Sequence, residues 1–100
     1  MDVKWNDTYY KLDPQEIREA AREAREEDIE RVLEIAYNAM VEKGYDPIQQ
    51  IIGYLLTEDP IYITSHKNAR ALVCRLDRFE MMTVIMKKYY NIPKRDNHIQ

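Results

Sequence analysis

The sequence predicts an all-α fold, a small domain of four to five helices preceded by a mobile N-terminal arm. The chain has 100 residues, of which 45% are hydrophobic and 33% are charged, a composition that suits one soluble helical domain. Asp-Pro pairs, which are typical of helix starts, occur at residues 13–14 and 46–47. Apolar residues recur at spacings of three and four in the segments that follow these pairs.

The composition also excludes several classes of protein. Cys74 is the single cysteine, so an internal disulfide cannot form, and two histidines do not supply a zinc ligand set. Two glycines are too few for a phosphate loop or a dinucleotide fingerprint. No apolar run reaches the roughly 18 to 20 residues of a membrane span, and residues 1–13 are too polar for a signal peptide. We therefore expect no cofactor, no metal, no membrane insertion and a cytoplasmic location.

The first helix has clear start and stop signals. Asp13 is the predicted N-cap, Pro14 takes the first helical position, and Glu16 completes a capping box. The helical pattern continues to Lys43, where Gly44 can adopt the left-handed conformation that ends a helix.

The second half of this helix carries the predicted core stripe, whereas the stretch before it is charged. The stripe consists of Ile29, Val32, Leu33, Ala36, Tyr37 and Met40. Residues 18–28 offer only alanines on their apolar side, which predicts a solvated extension. A shallow coiled-coil contact is the alternative.

Three further helical segments follow. The second helix begins at Asp46-Pro47, and Gly53 within it predicts a close helix–helix approach. Residues 61–63 are expected to form an extended link. Thr64 or Ser65 can cap a third helix over residues 66–76. The predicted inward residues are Ile48, Ile51, Ile52, Leu55 and Leu56 on the second helix, and Ala69, Leu72, Val73 and Leu76 on the third.

The fourth helix has more apolar surface than one small core can use. Asp77 and Glu80 predict its capping box, and it runs from Arg78 to about Tyr90. One alternative is that this helix lies centrally and is surrounded by its own chain. We expect instead that a second copy covers it, giving a homodimer. The predicted interface residues are Phe79, Met82, Ile85, Met86 and Tyr89.

The charge is divided unevenly along the chain. Residues 1–60 carry 7 Lys or Arg and 15 Asp or Glu, whereas residues 61–100 carry 8 and 3. Either the two halves attract each other, within the fold or across a dimer, or the basic half faces an anionic partner surface or a phosphate group. The candidate partner-binding residues are His66, Lys67, Arg70 and Arg78. Their spacing keeps His66, Arg70 and Arg78 near one face if the helix continues smoothly. If they bind a partner, Arg70→Ala and Arg78→Ala should abolish regulation without changing the melting temperature.

Two other hypotheses concern nucleic acid and catalysis. The third helix could act in a helix-turn-helix-like nucleic-acid binder, with Lys67, Arg70 and Arg75 on phosphates, although the overall acidity disfavours such a partner. His66, Cys74 and the many carboxylates form no recognisable catalytic constellation, so we expect no enzymatic activity. Thr8 is the one threonine in the predicted arm, where a kinase has access to an extended segment.

Several motifs together resemble the IreB/ReoM family of regulatory phosphoproteins of Gram-positive bacteria. They are EKGYDP at residues 42–47, QIIGYLL at residues 50–56, HKNAR at residues 66–70 and RLDR at residues 75–78. Thr8, followed by Tyr9 and Tyr10, fills the position of the threonine that is phosphorylated in that family.

The resemblance implies a non-enzymatic, all-helical homodimer that acts as a phospho-switch. Its expected partners are a membrane Ser/Thr kinase with PASTA repeats and the cognate phosphatase. The family controls peptidoglycan synthesis through Clp-dependent turnover of the UDP-GlcNAc enolpyruvyl transferase, so a Clp-protease adaptor, the transferase, or both are expected to bind. The resemblance also implies residues 1–12 as the phosphorylated arm, residues 13–92 as the dimerisation and regulatory domain, and residues 93–100 as a tail.

The sequence departs from the family pattern at four places. The region of residues 18–28 makes the chain longer by about two helical turns. Thr57-Glu58 stands in place of Ser-Gly, and Thr64-Ser65 replaces Pro-Arg. Cys74 replaces a basic residue. The basic run of the family therefore keeps Arg70 and Arg78 here but loses two members, so its anionic partner should be bound more weakly or differently.

Overall fold

A computed structural model of the protein describes residues 13–93, and this part of the chain is entirely helical, without strands. The elements are α1 (Pro14–Glu42), α2 (Pro47–Thr57), a 3₁₀ turn (Pro60–Tyr62), a second 3₁₀ turn (His66–Asn68), α3 (Ala69–Cys74) and α4 (Arg78–Tyr90). The all-α prediction is confirmed. The predicted arm, Thr8 within it, and all but the first residue of the predicted tail lie outside the described residues.

The ends of α1 follow the predicted signals. The Asp13 carboxylate accepts the Glu16 N–H at 2.8 Å, and the Glu16 carboxylate accepts the Asp13 N–H at 3.4 Å, so the capping box is complete. At the other end, Gly44 has a φ of 83°, in the left-handed region that favours glycine. The long helix therefore begins and ends where local chemistry predicts.

The other three helices all pack against α1. Within residues 13–93, one face of α1 provides five of the eleven buried hydrophobic residues, and this face is the predicted stripe with two changes, the addition of Ala39 and the loss of Tyr37. Ile29, Val32, Ala36 and Met40 are buried as expected, and Leu33 is partly buried. Tyr37 is exposed, so its assignment to the core was wrong. It lies on the flank of the stripe, beside a groove that Ile48 and Ile85 also line.

Helix α2 turns a different side to the core from the one its isoleucines suggest. Tyr54 is its one buried residue, and Ile51 and Leu55 pack partly against the core on either side of it. The predicted burial of Ile48, Ile52 and Leu56 is wrong, because these residues, spaced by four, form a separate exposed stripe on α2.

The close approach predicted at Gly53 exists, but its partner is an aromatic ring rather than a helix. A Cβ on Gly53 would lie 2.4 Å from Cδ1 of Tyr62. Gln50 Nε2 holds this segment by donating to the Tyr62 carbonyl at 2.9 Å. The expected extended link is wrong for its first two residues. The Asp59 carboxylate accepts the Ile61 N–H at 3.1 Å and starts a 3₁₀ turn, and the extended backbone is limited to the buried Ile63.

The third helix is shorter than predicted, because residues 66–68 form a 3₁₀ turn instead of its first turn. Lys67 and Asn68 have φ values of 55° and 63°, which interrupt a right-handed helix. Helix α3 begins only at Ala69. Its predicted inward residues are otherwise confirmed: Ala69 and Val73 are buried, and Leu72 and Leu76 pack against the core.

Helix α4 begins and ends as predicted but leaves one face uncovered. The Asp77 carboxylate accepts the Glu80 N–H at 2.9 Å, and Met81 and Val84 are the buried residues. Of the predicted interface residues, Ile85 is partly buried and the others, Phe79, Met82, Met86 and Tyr89, are exposed. The alternative of a central helix surrounded by the described part of its own chain is therefore wrong.

The segment of residues 18–28 is docked at its end, so the prediction of a fully solvated extension was wrong there. Glu26 is 7% exposed, and its carboxylate lies 2.8 Å from Lys87 Nζ on α4. Arg25 also pairs with Glu80, at 3.5 Å. These ion pairs join the C-terminal end of this segment of α1 to α4, whereas its first turns remain largely exposed.

We predict that Lys87→Met lowers the free energy of unfolding by about 2 to 3 kcal/mol, because it leaves the buried Glu26 carboxylate without its cation. The Lys87 side chain is 24% exposed, which keeps the loss below that of a fully buried pair. Lys88→Met is the matched control, since Lys88 pairs with Glu30 at 3.8 Å and is 74% exposed. It should cost less than about 1 kcal/mol. Urea unfolding measures the stability of both variants. Equal losses would contradict a larger contribution from the Lys87–Glu26 pair.

Candidate functional site

The first part of the candidate site is a basic turn, residues 64–70, that lies against the C-terminal end of α1. His66 Nε2 is 2.7 Å from Oε1 of Glu42, and Lys67 Nζ is 3.2 Å from Oε2 of the same carboxylate. The hydrogen bond from His66, followed by that from Lys67, lowers the pKa of the Glu42 carboxyl from its ordinary value. Two predicted partner-binding residues therefore share one acidic group of their own chain.

The shape of the basic turn comes from its own backbone. The Thr64 hydroxyl accepts the His66 N–H at 3.2 Å, and the Thr64 carbonyl accepts the Arg70 N–H at 3.0 Å. The Asn68 N–H donates to the Ser65 carbonyl at 3.1 Å. These bonds hold Lys67 and Asn68 in left-handed conformations that cost residues other than glycine about 1 kcal/mol or more each. Asn68 is the one sequence signal of this turn, because asparagine adopts the left-handed conformation more readily than most residues other than glycine.

Arg70 and Arg78 bind backbone carbonyl groups of the fold. Arg70 Nε donates to the Ile63 carbonyl at 2.9 Å. Arg78 Nη1 donates to the Leu55 carbonyl in the last turn of α2 at 2.7 Å, and its Nη2 lies 3.5 Å from the Glu58 carboxylate. A cation at this position satisfies a carbonyl that the helix leaves unpaired and complements the helix dipole.

The four predicted partner-binding residues therefore do not lie on one face of a continuous helix. His66 and Lys67 are in a 3₁₀ turn, Arg70 is in α3 and Arg78 is in α4. The chain leaves helical geometry between α3 and α4, which the assumption of a smooth helix missed. The two arginines also have structural roles, so the expectation that their removal leaves the melting temperature unchanged no longer holds.

Ion pairs between the acidic and basic halves of the chain account for much of the charge asymmetry. Arg75 donates to the Asp28 carboxylate at 3.0 Å, and this hydrogen bond, aided by Arg31, lowers the pKa of Asp28 from its ordinary value. Other pairs of this kind within residues 13–93 are His66 and Lys67 with Glu42, Arg78 with Glu58, Lys87 with Glu26 and Lys88 with Glu30. Attraction between the halves within one chain, an alternative that the sequence left open, is thus observed.

The same contacts weigh against the nucleic-acid alternative. Its three proposed phosphate-binding cations, Lys67, Arg70 and Arg75, each bind an acceptor of their own chain. Helix α3 has six residues and follows an interrupted turn, which is short for a recognition helix in a major groove.

The second part of the candidate site is the apolar surface of α4 and the grooves beside it. A groove of about 580 Å³ lies between α1 and α4, and another of about 490 Å³ also reaches α2. Leu33, Glu34 and Ile85 line both grooves, so they adjoin. Together with the exposed face of α4, these grooves form an apolar surface of the kind that marks protein interaction sites.

His66 and Cys74, the residues considered for catalysis, contact different side chains. His66 binds Glu42, and the exposed Cys74 lies near the Tyr54 side chain. Burial, followed by the neighbouring Cys74, raises the pKa of the Tyr54 hydroxyl. Within residues 13–93, no three His, Cys, Asp or Glu side chains are grouped as metal ligands would be, and no helix has both the length and the apolar character needed to cross a bilayer.

Comparison with known proteins identifies the family to which the chain belongs. Residues 15–91 match the model of the family described as IreB regulatory phosphoprotein. The chain belongs to the IreB family. A UPF0297 protein of Lachnoclostridium phytofermentans is 42% identical over 72 residues, which cover 72% of this chain and 76% of that relative. The IreB match includes the basic turn, Arg78 and α4, whereas Thr8 precedes it.

We predict that Arg78→Ala in this IreB-family protein lowers the free energy of unfolding by about 1 to 2 kcal/mol, because the Leu55 carbonyl loses a charged donor. Arg75→Ala serves as the control, since its pair with Asp28 is at the surface and its loss should lower the stability less than the loss of Arg78. Urea unfolding followed by circular dichroism measures both. An Arg78 variant as stable as the parent would show that this arginine is free for partner binding alone.

Proposed function

We propose that this protein is a non-enzymatic, cytoplasmic phospho-switch that regulates peptidoglycan synthesis through protein–protein contacts. The observation that carries the proposal is the match of residues 15–91 to a family described as regulatory phosphoproteins. The uncovered apolar face of α4 supports an action through other proteins, because such a face is a common feature of interaction surfaces.

The proposed switch is phosphorylation of Thr8 by a membrane Ser/Thr kinase with PASTA repeats, reversed by its cognate phosphatase. A phosphate adds about 1.5 to 2 negative charges and three acceptor oxygens at neutral pH. The position of Thr8, ahead of Tyr9 and Tyr10, supports this assignment through the resemblance described above.

The proposed output is control of the Clp-dependent turnover of the UDP-GlcNAc enolpyruvyl transferase. The partner bound is a Clp-protease adaptor, the transferase, or both. The proposed contact residues are His66, Lys67, Arg70 and Arg78. Of these, His66 and Lys67 are the best placed, because their side chains project from a turn and bind a surface carboxylate rather than a backbone group of the fold.

The proposed assembly is a homodimer built around the outer face of α4. Phe79, Met82, Met86 and Tyr89 are exposed on one side of this helix, and Ile85 adjoins them at the groove. Burial of this face against a second copy stabilises the dimer by about 25 cal/mol for each Å² of apolar surface removed from water. Methionines adapt to irregular surfaces, which suits an interface of this kind.

We predict that Thr8→Ala gains no phosphate when the full chain is incubated with its PASTA kinase, because the change removes the hydroxyl proposed as the principal phosphorylation site. Intact mass spectrometry measures the result, and the parent protein should gain one phosphate. Thr83→Ala is the control and should be phosphorylated like the parent, since the Thr83 hydroxyl binds the Phe79 carbonyl within α4. A full phosphate on the Thr8 variant would place the switch elsewhere.

We predict that Met82→Asp converts the dimer to a monomer, because a carboxylate at the centre of an apolar interface loses its hydration. Light scattering at micromolar concentration measures the mass. The matched control is Ile52→Asp: Ile52 is 45% exposed and Met82 is 39% exposed, but Ile52 lies on α2. A monomeric parent protein, or dissociation by the Ile52 change alone, would contradict this interface.

A further inference from the structure

The Glu42 carboxylate contacts the basic turn in the way an external carboxylate would. Each of its two oxygens faces one nitrogen group, with His66 Nε2 at 2.7 Å from Oε1 and Lys67 Nζ at 3.2 Å from Oε2. The arrangement shows directly that these two donors are spaced to bind both oxygens of a single carboxylate.

The two donors are held in place by contacts that do not involve Glu42. The Thr64 hydroxyl and carbonyl accept the N–H groups of His66 and Arg70, and the Ser65 carbonyl accepts that of Asn68. These local bonds fix the backbone from which both donors project. Removal of the Glu42 carboxylate therefore leaves the turn formed and the side chains of His66 and Lys67 available.

The contact is also accessible to exchange. The Glu42 side chain is 45% exposed, and those of His66 and Lys67 are 32% and 60% exposed. An ion pair at this degree of exposure is weak, since the carboxylate and its partners retain most of their hydration. A carboxylate from another protein can thus replace Glu42 without opening the core.

We propose that His66 and Lys67 form a carboxylate-binding site for an acidic segment of the partner, and that Glu42 is its built-in competitor. The inference rests on the proposed function for its biological role, because the basic turn is the proposed contact. Its occupant is a carboxylate, since the group that these two donors bind in the structure is a carboxylate whose two oxygens each meet one donor. The carboxylate of the partner must therefore displace Glu42 in order to bind.

The effect of Glu42 on the affinity for an external carboxylate can be predicted. The tethered Glu42 carboxylate, in an exposed and therefore weak ion pair, occupies the site for roughly half to four fifths of the time. Its removal should therefore tighten binding of an external carboxylate by about two- to fivefold.

The test is a titration of the isotope-labelled full chain with an acetylated, amidated tetraglutamate peptide at low ionic strength. The signals of the His66 imidazole and of the backbone amides of residues 64–70 report binding. Glu42→Gln and Glu42→Ala should each bind the peptide about two- to fivefold more tightly than the parent. Lys67→Ala should abolish the gain when combined with either change.

Glu27→Gln is the matched control, because it removes the same charge from an exposed position on α1 that is four turns away from Glu42. Unchanged binding in both Glu42 variants, or an equal gain in the Glu27 variant, would overturn the competitor role. Tighter binding of inorganic phosphate than of the peptide would overturn the carboxylate assignment. The test needs neither kinase nor transferase, so its failure is distinct from a failure of Thr8 phosphorylation.

Discussion

The fold depends on the burial of apolar side chains against one face of a single long helix. α1 has 29 residues, and the other three helices pack against it. Its buried face, with Val32, Ala36 and Met40 fully enclosed, meets Tyr54 from α2, Val73 from α3 and Met81 from α4 in one cluster. The short helices have few residues for stable independent folding, since helices below about 12 residues are marginal in water. Loss of the α1 face would therefore remove the support of every other element.

This one-sided packing explains why apolar surface remains outside the core. Each short helix uses one side against α1 and keeps its outer side free, which leaves Ile48, Ile52 and Leu56 exposed on α2 and a second stripe exposed on α4. Ion pairs along the margins, such as Lys87 with Glu26, fix the helices without covering these faces. The architecture thus combines a small stable centre with outer surfaces that suit binding to other proteins, as expected for a regulator.

The sequence predicts those features that depend on local chemistry. Asp13-Pro14, Asp46-Pro47 and Asp77 mark the helix starts because each carboxylate caps N–H groups within three residues. The buried side of α2 could not be predicted in this way, since the position of α1 determines that Tyr54, rather than Ile52, is buried. The contacts of the candidate site join residues far apart in the chain: Glu42 and His66 are 24 positions apart, and Glu26 and Lys87 are 61 apart. Their pairing follows only from the folded arrangement.

Amide hydrogen exchange along α1 tests the central role of its buried face most directly. The amides of residues 29–41 should be the slowest to exchange, because their exposure requires all three packed helices to separate from α1. Protection should fall steadily from residue 26 toward Pro14, where the helix has few partners among the described residues. Uniform protection along the whole of α1, or stronger protection in α2 or α4 than in residues 29–41, would contradict a fold organised by this face.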